Sequence, residues 1–222
     1  MNTKNKKIEI NELISNKNDN IANEIRGLLT NKGIFAINVM GAPGVGKTSV
    51  IKTIIKNAPN IKHYVLEGDI ESDIDTKSLI ELGIETLQIN THGACHLDAP
   101  IVAKEIRNLN LKEQGILFIE NIGNLVCPAE FRIGEHVKML IVTALEGSDK
   151  PYKYPLAFEK ANIILLNKAD LLEYVDFDEE YFLQGIKILN PQVKVISVSS
   201  KNNSGFEEVV TWIQEKKKLL SH

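Results

Sequence analysis

Eight residues, Gly41-Ala42-Pro43-Gly44-Val45-Gly46-Lys47-Thr48, carry the spacing G-x-x-x-x-G-K-[ST] of a phosphate-binding loop. An apolar run ending at Met40 precedes them, and a helical pattern beginning at Ser49-Val50-Ile51 follows. The chemistry explains the spacing. Gly41, Gly44 and Gly46 let backbone N–H groups, including that of Val45, turn inward around a polyphosphate. The helix that starts at Lys47-Thr48-Ser49 points its positive end at the same anion. Lys47 adds a cation for the terminal phosphates, and the Thr48 hydroxyl is placed to coordinate Mg²⁺.

A second group selects the base. Asn167-Lys168-Ala169-Asp170 follows an apolar strand about 120 residues beyond the first motif. A carboxylate only accepts hydrogen bonds. Guanine offers N1–H and N2–H₂ side by side, whereas adenine has no such pair of donors. Asp170 therefore predicts GTP as the nucleotide. Asn167 can bond the other base edge or nearby loops, and the Lys168 stem can lie on the ring. Ser199-Ser200-Lys201, after the last expected strand, fits a further base-contacting loop, with Ser200 and Lys201 as the contacts.

The magnesium and hydrolysis positions lie between these motifs. Glu120 ends an apolar strand and opens Glu120-Asn121-Ile122-Gly123, which resembles the D-x-x-G switch segment of GTPases with Glu in place of Asp. Glu120 is a candidate Mg²⁺ partner through water, and the Gly123 N–H a candidate γ-phosphate contact. Asp69 and Asp75 follow the second expected strand, and either one can ligate Mg²⁺ or orient the attacking water. Asn124 stands where a water-orienting Gln is found in Ras-like proteins, which predicts slow intrinsic hydrolysis.

Two cysteines and a histidine carry another chemistry. Cys95-His96 sits in a polar loop before a helical pattern, and Cys127 comes four residues after Gly123. Thiolate and imidazole are ligand types for Zn²⁺ and Ni²⁺. There is no C-x₂-C pair, and a lone cysteine also serves as a small buried hydrophobe. The placement of both after strands, on the same edge of the sheet as the nucleotide motifs, favours the metal. Three protein ligands leave a four-coordinate ion one short. Water, His92 or a residue of a second subunit are the candidates for the fourth place.

The elements that must hold these residues alternate between strand and helix. Apolar runs at 34–40, 63–67, 85–89, 115–120, 137–144, 162–166 and 193–198 read as strands. Helical patterns follow the phosphate loop and cover 73–82, 98–109, 179–189 and 206–220. The fold class expected is an α/β P-loop NTPase, a mainly parallel sheet with helices on both faces. Ligands in such sheets gather at the carboxyl ends of the strands, where every polar motif above lies. Residues 1–18 read as a polar, frayed arm and 19–32 as an amphipathic helix. Residues 33–222 then form the nucleotide-binding domain that carries the metal site. Loops are expected over 121–135 and 146–154.

Composition narrows the class. The 222 residues have a formal net charge of −3, with 43% apolar and 25% charged residues. Nothing here favours nucleic acid or an anionic membrane as partner. No apolar run approaches spanning length, and residues 1–20 lack the apolar stretch of a secretory signal, so a cytoplasmic protein is expected. In that setting two cysteines are not expected to form a structural disulfide.

Taken together, Gly41 through Thr48, Cys95-His96-Leu97-Asp98-Ala99, the nine residues from Glu120 to Pro128, and Asn167-Lys168-Ala169-Asp170 resemble the HypB family of hydrogenase nickel-incorporation GTPases. C-H-L-D-A and E-N-x-G-N-L-V-C-P are the specific segments. The resemblance covers about residues 20–220. It implies a GTPase that holds Ni²⁺ or Zn²⁺ through Cys95, His96 and Cys127, with Thr48, Asp69, Asp75 and Glu120 around Mg²⁺. It also implies a homodimer promoted by GTP and metal, and nickel delivery to the large subunit of [NiFe]-hydrogenase with a HypA-like chaperone as partner. The related UreG GTPases carry a C-P-H motif, whereas Cys95 and His96 are adjacent. A urease-type nickel GTPase is the alternative within this chemistry, and a GTP-switched regulatory module with a structural metal is the alternative outside it. The chain lacks the N-terminal cysteine motif and histidine-rich tract that some members use to hold nickel, so storage is not expected. Arg132 replaces the Asp of F-D-L-G.

Overall fold

Why the strands pair as they do follows from their burial on both faces. Residues 3–68, 79–91 and 93–221 are described by a computed structural model, with side chains described within these ranges from residue 16 to residue 220. Seven strands among them form one sheet, every pairing parallel: β1 (Ile34–Met40), β2 (Lys62–Glu67), β3 (Glu85–Gln88), β4 (Gly115–Glu120), β5 (Val137–Thr143), β6 (Ile163–Asn167) and β7 (Lys194–Ser197), in the order β3-β2-β4-β1-β5-β6-β7. β1, β4 and β5 are buried along their whole length, as apolar runs without alternation require.

Helices cover both faces. On one, α2 (Lys47–Asn57) and α8 (Phe206–Lys218) pack Ile51, Ile54 and Trp212 against Phe35, Ile37 and Val39. On the other, α1 (Thr3–Asn31) and α3 (Ala99–Ile106) pack Ala22, Ile25, Leu29, Val102 and Ile106 against Ile34, Ala36 and Leu117. A third cluster joins Met40 and Leu140 to α6 (Pro155–Lys160) and α7 (Glu179–Leu189) through Phe158, Phe182 and Ile186. The expected doubly covered parallel sheet is what forms.

Three elements depart from the sequence reading. α1 begins at Thr3, earlier than the expected 19. No Gly or Pro interrupts the chain before Gly27, and the face formed by Asn18, Ala22, Ile25 and Leu29 is buried, which anchors the helix. The segment 121–135, expected as loop, contains a helical turn α4 (Cys127–Glu130) with Pro128 in its first positions, where a missing N–H costs nothing. The charged segment 146–154 likewise contains α5 (Lys150–Lys153), tied by ion pairs Lys150–Glu146 at 3.1 Å and Lys153–Asp149 at 2.6 Å. The helix expected over 73–82 lies for the most part outside the described residues, as do Asp69, Asp75 and His92.

Register aligns the functional ends. β1 lies between β4 and β5, with Val39 opposite Glu120 and Met40 opposite Leu140. The residues after Met40 and after Glu120 therefore leave the sheet side by side.

Candidate functional site

The phosphate loop turns where glycine is needed. Gly44 and Gly46 have φ of 77° and 91°, in the left-handed region that disfavours side chains. A Cβ at Gly46 would also lie 2.7 Å from Asn167 Nδ2. That proximity joins the two nucleotide motifs. Asn167, at the end of β6, donates Nδ2 to the Val45 carbonyl at 2.9 Å, and Lys168 donates Nζ to the Gly44 carbonyl at 2.8 Å. Asn167 thus braces the phosphate loop, one of the two uses read for it. Lys168 holds a left-handed backbone with φ of 59°, a strain that its contact with Gly44 accompanies.

Asp170 is oriented from two sides. The buried Ser199 donates its hydroxyl to Oδ1 at 2.5 Å, and Lys201 Nζ lies 3.8 Å from Oδ2. Ser200 donates to Asn167 Oδ1 at 3.4 Å. A cavity of about 550 Å³ opens here, lined by Gly46, Ser49, Asn167, Lys168, Asp170 and Lys201 together with Lys52 and Lys56. Its lysines outnumber its single carboxylate, which suits a polyanionic ligand whose base meets Asp170. Lys47 is buried at the start of α2. Thr48 donates Oγ1 to Glu120 Oε1 at 2.9 Å, so the expected magnesium pair is already in contact. Gly123 runs so close to the phosphate loop that a Cβ there would lie 2.9 Å from Pro43 Cγ and 3.1 Å from Pro43 Cα.

The second cluster lies on the same edge. Cys95 follows β3, and Cys127 opens α4 after β4. Their Sγ atoms are 3.4 Å apart and share a hydrogen bond, while Cys95 Sγ lies 3.3 Å from His96 Nδ1. One ligand atom from each of Cys95, His96 and Cys127 falls within 4.8 Å of the others. Two thiolates on a tetrahedral ion with metal–sulfur bonds of about 2.3 Å stand about 3.8 Å apart, so the cluster fits an ion with shifts of a few tenths of an ångström. The hydrogen bond with Cys95 pushes the Cys127 thiol pKa up, and burial adds to it. A cation between the sulfurs reverses that bias, since thiolate is the ligand form. The His96 ring is stacked on Phe131, centroids 4.2 Å apart at 14°.

Residues given no role in the sequence reading support the segments around this cluster. Asn121, fully buried, accepts from Leu97 N at 3.2 Å and Ile122 N at 3.0 Å through Oδ1, and donates to Asn38 Oδ1 at 3.1 Å. Lys138 donates Nζ to the carbonyls of Pro128, Ala129 and Phe131 at 3.2, 2.9 and 2.8 Å. Asn18 of α1 donates to the Arg132 carbonyl at 2.9 Å and accepts from Ala99 N at 2.9 Å. Arg132 itself donates to Asn23 Oδ1 at 2.7 Å. An uninterrupted helical stretch before Gly27 was the signal available for α1. Asn18, Asn121 and Arg132 join segments far apart in sequence, and Lys138 closes a short return within one loop.

Residues 35–197 match the CobW/HypB/UreG nucleotide-binding domain. The hydrogenase maturation factor HypB of Azotobacter chroococcum mcd 1 is 40% identical over 95% of this chain and 69% of its own. The crystal structure of hydrogenase maturation factor HypB from Archaeoglobus fulgidus superposes with a TM-score of 0.85 at 34% identity, covering 90% of this chain and 98% of that one. HypB from Helicobacter pylori, solved in complex with nickel, gives 0.86 at 32% identity over 91% and 95%. No described helix is long and apolar enough to cross a membrane. The chain belongs to the CobW/HypB/UreG family of P-loop nucleotide-binding proteins, among the hydrogenase maturation factors HypB.

Proposed function

We propose that this protein is a slow GTP-hydrolysing metallochaperone that binds Ni²⁺ or Zn²⁺ and delivers nickel during maturation of [NiFe]-hydrogenase. The observation that carries the reading is the convergence of Cys95, His96 and Cys127 within 4.8 Å on the edge of the sheet that bears the phosphate loop. The nickel complex of the Helicobacter pylori relative supports it.

In this reading the loop amides and Lys47 hold the phosphates, and Asp170 selects guanine. Thr48 and Glu120 hold Mg²⁺, with Asp69 or Asp75 as a further partner. When bound there, Mg²⁺ would neutralise charge on the phosphates. The Gly123 N–H meets the γ-phosphate, and its lack of a side chain lets it approach Pro43. Asn124, where a water-orienting side chain is looked for, is instead hydrogen-bonded to Cys95 and Val126. Slow turnover follows, as a switch requires.

Cys95, His96 and Cys127 leave a tetrahedral ion one ligand short, and a second subunit completes it. GTP and metal then promote the homodimer together, and linkage makes each strengthen the other. A HypA-like chaperone and the hydrogenase large subunit are the partners. The exposure of Cys95 favours a transferable ion over a purely structural one. The test is Ni²⁺ titration with and without a GTP analogue, with dimer formation followed, on wild type and Cys127→Ala. Wild type should bind metal more tightly and dimerise in the GTP-analogue state, and Cys127→Ala should do neither. Equal metal affinity and equal dimerisation of wild type in both nucleotide states would overturn the reading.

A further inference from the structure

We infer that Asn124 is the positioning residue through which the state of the phosphate loop reaches the metal ligands, an inference that rests on the function proposed above. Three contacts meet at this residue. Its backbone forms an isolated antiparallel bridge with Gly41, the first glycine of the phosphate loop. Its Nδ2 donates to the carbonyl of Cys95 at 3.2 Å. Its Oδ1 accepts from Val126 N–H at 2.9 Å, on the residue before Cys127. One side chain therefore holds the main chain of one ligand and the entry to another, while its own main chain is held by the phosphate loop.

The chemistry requires an amide. Asn offers a donor and an acceptor at once, and both are used. A carboxylate has no donor for the Cys95 carbonyl, and a hydroxyl on a shorter side chain keeps only the local contact to Val126. Asn121 makes a second tie between the same segments, but a different one. It is fully buried and bonded to Asn38 of β1, so it belongs to the fixed end of the sheet. Asn124 follows Gly123, whose backbone is packed on Pro43 of the phosphate loop. A γ-phosphate that draws Gly123 inward moves Asn124 with it. A shift of about 1 Å is enough to break or realign a 3.2 Å hydrogen bond. Metal–ligand distances tolerate only about 0.2 Å, so the ligand set responds to such a shift.

A pathway needs a measured coupling. The experiment compares Ni²⁺ affinity in the GDP state with that in the presence of a non-hydrolysable GTP analogue, for wild type, Asn124→Ser and Asn124→Ala. Ser retains a turn contact to the amide two residues on and so preserves the loop. Its loss of reach to Cys95 is the single change tested. In wild type the two affinities should differ by about 10-fold, within the usual range for coupled sites. Both variants should still bind one Ni²⁺ and the GTP analogue, with the affinity ratio reduced to within about 2-fold of unity. A wild-type ratio retained in folded Asn124→Ser overturns the inference and leaves the proposed function standing. A ratio of unity in wild type overturns the inference as well, and overturns the proposed function only where dimerisation is also equal in the two nucleotide states, so the two failures are told apart.

Discussion

Thr48 donates its hydroxyl to Glu120 Oε1 across 2.9 Å, joining the last residue of the phosphate loop to the last residue of β4. The contact follows from register, since Val39 lies opposite Glu120 and both strands end on the same edge. Glu120 is 2% exposed, so its charge is held in a site where a cation gains most from it. Glu120→Gln retains an oxygen to accept from Thr48 and removes only the charge. Single-turnover hydrolysis of GTP should fall by about 10²-fold or more, the usual effect of losing one charge-stabilising group, while the melting temperature changes little. Restoration of the rate at high Mg²⁺ would assign the loss to ion binding. An unchanged rate at low Mg²⁺ would remove Glu120 from the magnesium site.

Asp170 lines the cavity, its two oxygens held by Ser199 and Lys201, and in the function proposed it meets the base. Asp170→Asn replaces an acceptor by a donor facing the same base edge. Xanthine carries a carbonyl where guanine carries its N2 amine, so the variant should exchange guanine for xanthine nucleotides. GDP affinity should drop by about 10²-fold or more, because buried polar groups left unpaired are heavily penalised. Competition of GDP and XDP for a fluorescent nucleotide measures it. Retention of the wild-type preference would show that the base is read elsewhere.

The parts of this site carried by contiguous residues are legible in the sequence. Four fixed positions in eight residues announce the phosphate loop, and the buried apolar runs announce parallel strands. Topology groups Cys95-His96 with Cys127, because both loops follow strands on one edge. The supporting residues were not legible, for a physical reason. Asn124 reaches Cys95 across 29 positions, Asn18 reaches Ala99 across 81 and Arg132 across 114, and no local pattern encodes such contacts. Lys138 sits in a strand where a lysine ordinarily faces solvent, and only the packed structure shows its ammonium buried. The start of α1 at Thr3 is not legible, because apolar spacing marks the buried face of a helix and not its full length.

A buried histidine, His63, and a half-buried one, His136, set a pH dependence of stability. Burial and the neighbouring Lys62 lower His63 to about 4, and burial with Arg26 lowers His136 to about 4, both from 6.5. His136 accepts from Ala36 N–H through Nδ1 at 2.9 Å, so that nitrogen has no room for a proton. Its Nε2 lies 2.9 Å from Thr30 Oγ1, tying α1 to the residue that precedes β5. Below 6.5 the unfolded chain takes up two protons that the folded chain refuses until about 4. These groups contribute fully above 6.5, and their contribution is lost as pH falls toward 4. Urea unfolding between pH 7 and 5 should show the loss, and His63→Phe, which keeps the ring stacked near Phe118, should reduce its slope by about one proton. An unchanged slope would mean that His63 is charged in the fold.

Lys138 holds the helical turn that presents Cys127. Its ammonium meets the carbonyls of Pro128, Ala129 and Phe131, and Glu135 Oε1 stands 3.7 Å away. Burial pushes the Lys138 pKa down, while Glu135 pushes it back up. Glu135 in turn accepts from Ile133 N at 2.7 Å, so the pair organises the whole return from α4 to β5. Those carbonyls are unsatisfied at the end of the turn, and the ammonium caps them as a cation caps a helix C-terminus. Lys138→Met fills the volume and leaves three acceptors and a carboxylate buried without their donor. Removing one partner of a buried pair costs about 3–5 kcal/mol, and urea unfolding of the metal-free protein should show a loss of that size. Adding Glu135→Gln removes the orphaned charge and should recover part of it, since the penalty lies in the uncompensated carboxylate. The carbonyls stay unpaired in the double variant, so α4 remains loosened and Ni²⁺ affinity should stay below wild type even where stability is recovered. Wild-type Ni²⁺ affinity in the double variant would mean that Lys138 stabilises the fold without positioning Cys127.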